Sequence, residues 1–86
     1  MMRREVAFEI STGLRYETRI VSCEDAPTLT ASGAQIKSAG DVNSMYQLYM
    51  EEPGTIPDRQ IGDCEAVAFP PDRRLRFFAT PSISGG

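Results

Sequence analysis

Between Val6 and Ile20 the chain alternates apolar and polar residues twice over, a pattern that commits it to a fold beginning with paired strands. Val6, Phe8 and Ile10 are separated by Ala7 and Glu9, so one face of a strand is apolar. Leu14, Tyr16, Thr18 and Ile20 are separated in the same way by Arg15, Glu17 and Arg19. Ser11-Thr12-Gly13 stands between the runs as a short turn, with a glycine able to take a left-handed conformation. The two runs read as an N-terminal β-hairpin.

Helical spacing comes next. Cys23 to Thr30 reads as a loop punctuated by Pro27. Ser32 followed by Gln35 matches a capping box, which predicts a helix from about Gly33 to Ala39 that buries Ile36 and Ala39 and stops at Gly40. So short a helix is unstable alone and has to lie on a sheet. Tyr46, Leu48 and Met50 alternate with Gln47 and Tyr49 to give a third strand. After the breaks at Pro53-Gly54 and Pro57, Arg59-Gln60-Ile61 is a short edge element. Gly62 to Val67 reads as a turn or single helical turn begun by Asp63, and Pro70-Pro71-Asp72 as another turn. Leu75, Phe77 and Ala79 alternate with Arg76, Phe78 and Thr80 in a last strand that Pro81 stops. A hairpin, a helix and further strands place the helix across one face of a mixed sheet, with the first and last strands parallel in the middle. The expected fold is α+β, a β-grasp, with residues 1–81 as the domain and 82–86 as a flexible tail.

Composition excludes several function classes. At 86 residues, 41% of them hydrophobic, the chain is one small domain. No apolar run approaches the ~18–20 residues of a membrane-spanning helix, and no apolar signal core follows Met-Met-Arg-Arg. Twelve acidic against nine basic residues, a net charge of −3, argue against nonspecific nucleic-acid binding. Histidine is absent, so the commonest general base and the usual nitrogen ligand of zinc are missing. Cys23 and Cys64 are far apart in sequence and, without a secretory signal, read as free thiols of a cytoplasmic protein. The acidic pairs Glu24-Asp25 and Glu51-Glu52 sit beside loop signals and read as solvated carboxylates. No phosphate-loop motif is present. The expectation is a protein that is not an enzyme and holds no cofactor and no metal.

Three features remain as candidates. Arg73, Arg74 and Arg76 are expected to steer an acidic partner surface or a phosphate backbone, or else simply to solvate the turn leading into the last strand. If Leu48, Met50 and Phe77 point inward, Tyr49 and Phe78 share the opposite face of neighbouring strands and offer a partner-binding patch. Gly85-Gly86 follows an extended Pro-Ser-Ile-Ser segment. A glycine carboxylate has no side chain, so it can thread a narrow channel into another protein's active site and leaves its carbonyl unhindered.

The chain resembles ubiquitin-like modifiers, most closely the bacterial multiubiquitin-type family. The likeness is carried by Ser32-Gly33-Ala34-Gln35-Ile36-Lys37-Ser38-Ala39-Gly40, by Tyr46-Gln47-Leu48-Tyr49-Met50-Glu51-Glu52-Pro53-Gly54, and by Arg76-Phe77-Phe78-Ala79-Thr80-Pro81-Ser82-Ile83. The resemblance implies a protein modifier. An ATP-dependent activating enzyme would adenylate Gly86, then this enzyme and a conjugating enzyme would carry it as a thioester. A target amine would complete an isopeptide bond, and a JAB-type metalloprotease would process or remove the modifier, in a setting of bacterial antiphage defence. Ubiquitin has arginines in its tail whereas this chain has Ser82 and Ser84, so Ser82, Ile83 and Ser84 would be read by a different activating enzyme. Lys37, the only lysine, is a candidate acceptor for self-conjugation or else an ordinary solvated helix residue. The alternatives are a sulfur carrier whose terminal glycine becomes a thiocarboxylate, and an interaction module whose glycines are inert.

Overall fold

The computed structural model describes residues 3–13, 15–25, 28–52, 54 and 58–81. Leu14, Pro27, Pro53 and Pro57 lie outside the described residues, as do the expected tail residues Ser82, Ile83 and Ser84 and the expected conjugation residues Gly85 and Gly86. The hairpin consists of β1 (Arg3–Ser11) and β2 (Tyr16–Asp25), antiparallel from Arg3 opposite Glu24 to Ser11 opposite Tyr16. β3 (Leu29–Ser32) turns back along the end of β2. The helix α1 (Gly33–Ala39) follows, then β4 (Tyr46–Met50), β5 (Arg59–Ile61), β6 (Ala66–Ala68) and β7 (Arg76–Pro81). The seven strands form one mixed sheet in the order β5-β4-β7-β1-β2-β3-β6, with β1 and β7 the parallel pair.

This architecture overturns the expected β-grasp with a helix packed across it. Strands take 56% of the described residues, and the sheet curls into a nearly closed barrel. Two strands read as loop or turn produce the difference. β3 begins at Leu29, inside the segment read as a loop up to Thr30, and β6 at Ala66, inside the stretch from Gly62 to Val67 read as a turn. They pair with each other, Thr30 opposite Ala68 and Ala31 opposite Val67, and extend the sheet beyond β2. The helix is too short to span such a sheet, about 10 Å at 1.5 Å per residue. It packs mainly on β2 and β3. Its first turn is held by the connection between the two outermost strands, Gly33 N donating to Glu65 O and Ala34 N to Asp63 O, both at 3.0 Å.

Local chemistry explains why α1 forms where it does. Ser32 accepts from the Gln35 amide at 3.2 Å while Gln35 Oε1 accepts from the Ser32 amide at 2.8 Å, a complete capping box. Gly40 closes the other end, its amide donating to Ile36 O at 2.9 Å. Gly33 is required by a close approach, since a Cβ there would lie 2.2 Å from Gly62 O. Inside the barrel Phe8, Phe69 and Phe77 meet at angles, with Phe8 and Phe77 edge to face at 5.7 Å. Ile36, Leu48 and Val67 complete the most deeply buried part of the core.

β2 is where period two locates a strand without telling its faces. Val21 and Cys23 point into the core, whereas Tyr16 and Ile20 are 40% and 57% exposed. Ile20 stands opposite Ala7 and Tyr16 opposite Ser11, so both lie on the outer face. The hairpin extends past the core at this end, and neither side of it is fully covered there.

Candidate functional site

Side chains alternate across a strand, so burial of Leu48 and Phe77 turns Tyr49 and Phe78 to the outer face. β4 and β7 are neighbours with Tyr49 directly opposite Phe78. The two rings stack 5.1 Å apart at 11°, both half-buried. Tyr49 Oη donates to Gln47 Oε1 at 2.9 Å, which fixes the phenol end of the stack.

The aromatic surface continues through residues that sequence reasoning did not assign to it. Phe78 stands opposite Ser11 on β1, and Ser11 opposite Tyr16 on β2. Tyr49, Phe78, Ser11 and Tyr16 therefore occupy one row across four strands. Ser11 is buried between its neighbours. The Arg76 guanidinium lies 4.6 Å from the Tyr16 ring centroid, a cation–π contact, and Arg76 Nε donates to Glu9 Oε1 at 3.1 Å. The signal that could have placed Tyr16 here is the hairpin register: once Phe8 and Ile10 face inward, whatever stands opposite Ser11 faces outward.

The arginine cluster is divided. Arg76 and Arg74 both pair with Glu9, at 3.1 and 3.6 Å, while Arg73 is exposed at the turn. The acidic pairs form no carboxylate dyad. Asp25 pairs with Arg4 at 3.7 Å, and Glu52 lies 4.0 Å from Arg59. Among the described residues no cluster of three or more His, Cys, Asp or Glu could hold a metal. Glu65 has its carboxyl held below the usual range, chiefly by the Gly62 amide and then by Arg59. Both cysteines are free; Cys64 is exposed, and burial pushes the Cys23 thiol up, against a smaller opposing pull from Arg3.

Lys37 is neither a solvated helix residue nor an exposed acceptor. Its side chain is only 6% exposed, and its ammonium donates to Ser44 O at 3.0 Å and Tyr46 O at 2.9 Å, with Asp63 Oδ1 at 2.6 Å. Three donors meet three oxygens, so the charge is satisfied. The amine ties α1 to the start of β4 and to the β5–β6 connection, a structural duty that hides its nitrogen.

Among the described residues no helix is long and apolar enough to cross a membrane. No family model, curated protein or solved structure matches the chain.

Proposed function

We propose that this domain is a small cytoplasmic protein modifier whose reacting group is the carboxyl of Gly86. An activating enzyme would adenylate it with ATP, a conjugating enzyme would carry it as a thioester, and a target amine would take it as an isopeptide. A JAB-type protease is the proposed remover, and antiphage defence the proposed setting. The observation that carries the reading is the Gly85-Gly86 pair that the sequence places just beyond β7. β7 is paired with β1 over Arg76–Phe78 and with β4 through Pro81, so the folded base reaches to Pro81, five residues before Gly86. The stack of Tyr49 on Phe78 lies on that same base and offers an activating or conjugating enzyme an aromatic surface to grip. None of this depends on a β-grasp; it needs a folded base, a gripping surface and an unhindered carboxyl.

The test is incubation with ATP and the enzymes encoded by adjacent genes, read by intact mass and denaturing gels. A covalent adduct through Gly86, lost on deleting Gly86, supports conjugation. A mass gain corresponding to sulfur replacing oxygen makes the chain a sulfur carrier instead. An unchanged mass leaves the glycines inert and overturns the modifier reading.

A further inference from the structure

β1 is satisfied on one edge and open on much of the other. It pairs with β2 from Arg3 to Ser11, but with β7 only from Glu9 to Ser11. Glu9 N donates to Leu75 O at 3.0 Å, so the backbone groups of Glu9 face the β7 side. Backbone groups alternate along a strand, which directs the N–H and C=O of Arg3, Glu5 and Ala7 to that side too. Among the described residues no strand pairs with them there. Unpaired strand edges are templates for another strand.

The chain leaves a slot beside this edge. Before β7 begins, residues 70–74 bow away from β1, and a groove of about 470 Å³ lies between Arg4–Ala7 and the Pro70–Arg74 segment. Val6, Leu29 and the two prolines give it apolar walls. Its charged residues are Arg4, Arg73 and Arg74 against Glu5 and Asp72, a local balance of +1 in a chain of net charge −3. Arg4 and Arg74 make only long ion pairs, at 3.7 and 3.6 Å, on side chains about half exposed or more. Arg73 is exposed and makes no ion pair among the described residues.

We infer that this slot binds an extended acidic peptide segment of a partner protein, which adds as a strand to the open edge of β1 over Arg3–Ala7. Main-chain hydrogen bonds to Arg3, Glu5 and Ala7 supply affinity. Carboxylates of the peptide pair with Arg73 first, because among the described residues that guanidinium has no ion pair to give up, and Arg4 and Arg74 exchange weak pairs for new ones. The slot lies at the end of β1 away from the Tyr49–Phe78 stack, so it serves a different contact, and the inference stands whether or not Gly86 is conjugated.

The experiment is titration of the isotope-labelled protein with a labelled peptide of about eight residues, Gly-Thr-Glu-Val-Glu-Val-Asp-Gly, long enough to span the edge at ~3.3 Å per residue. The expected result is saturable movement of the Arg3, Glu5 and Ala7 amide signals, weakening with added salt. The counterpart with lysine at each acidic position should bind at least about fivefold more weakly, and Arg73→Glu should cost the acidic peptide about fivefold. Ala7→Pro removes one N–H from the open edge and should abolish binding; Arg73→Glu, at an exposed site, keeps the test valid should the proline variant fail to fold. Amide signals at Arg3–Ala7 that ignore the acidic peptide, or equal binding of the lysine peptide, would overturn the inference. So would movement of those signals with protein concentration alone, which would make a second copy the occupant.

Discussion

At the scale of the residue, Lys37 decides most. An ammonium that bonds two backbone carbonyls and a carboxylate is a cross-link between three segments. Lys37→Met should lower unfolding free energy by about 2–3 kcal/mol in urea titration, mainly through the two charge-assisted bonds to carbonyls. Asp63 is more than half exposed, so its share of the loss is small. A midpoint unchanged by the substitution would deny the cross-link. The same burial means that this chain, whose only side-chain amine is Lys37, offers no exposed lysine to its own conjugation. Glu65 sets a pH dependence. Its carboxyl is lowered in the folded state, so its stabilising contribution is present above the ordinary carboxylate range and fades as pH falls through the lowered value. Wild type and Glu65→Gln should therefore differ in stability near neutral pH and converge in acid; a constant gap across that range would contradict the assignment.

At the scale of the element, the joint between α1 and the β5–β6 connection holds the sheet in its curled form. Gly33→Ala places a methyl 2.2 Å from Gly62 O, a backbone atom, so the β5–β6 connection has to shift to admit it. The substitution should cost at least about 2 kcal/mol by thermal or urea unfolding. Ser32→Ala, which removes one arm of the capping box, should cost about 1 kcal/mol. Elements with strong local signals were legible: α1 occupies Gly33–Ala39 because its cap, its apolar residue Ile36 and its closing glycine all lie within nine residues of chain. β4 was legible from its alternation, and β5 as a short edge element after the breaks at Pro53-Gly54 and Pro57. β3 and β6 were not, because three or four residues are too few to show a period, and what makes them strands is their pairing across Thr30–Ala68 and Ala31–Val67. The faces of Tyr49 and Phe78 were legible because both belong to clearly alternating strands, while their standing directly opposite each other comes from the β4–β7 register. Tyr16 was lost to the patch because alternation alone does not tell a strand's inner face from its outer one.

At the scale of the whole molecule, the two unread strands turn an open sheet with a helix across it into a nearly closed barrel with the helix against β2 and β3. Such a sheet presents its outer surface and, at Arg3–Ala7, a stretch of β1 that no strand among the described residues pairs on the β7 side. The sheet carries an aromatic row on one part and an arginine-flanked slot on another, and the proposed modifier role adds Gly85-Gly86 as its reacting group. The most direct measurement follows from the position of the last basic residue, Arg76. Trypsin cutting there would leave the ten-residue remnant Phe77–Gly86 on any modified target. Peptide sequencing by mass spectrometry of denatured lysates from the native cell should find target lysines carrying that remnant through Gly86, and none when Gly86 is deleted. Recovery of the Phe77–Gly86 peptide only with a free carboxyl, at conditions where the protein is abundant and its cognate enzymes are expressed, would contradict the account.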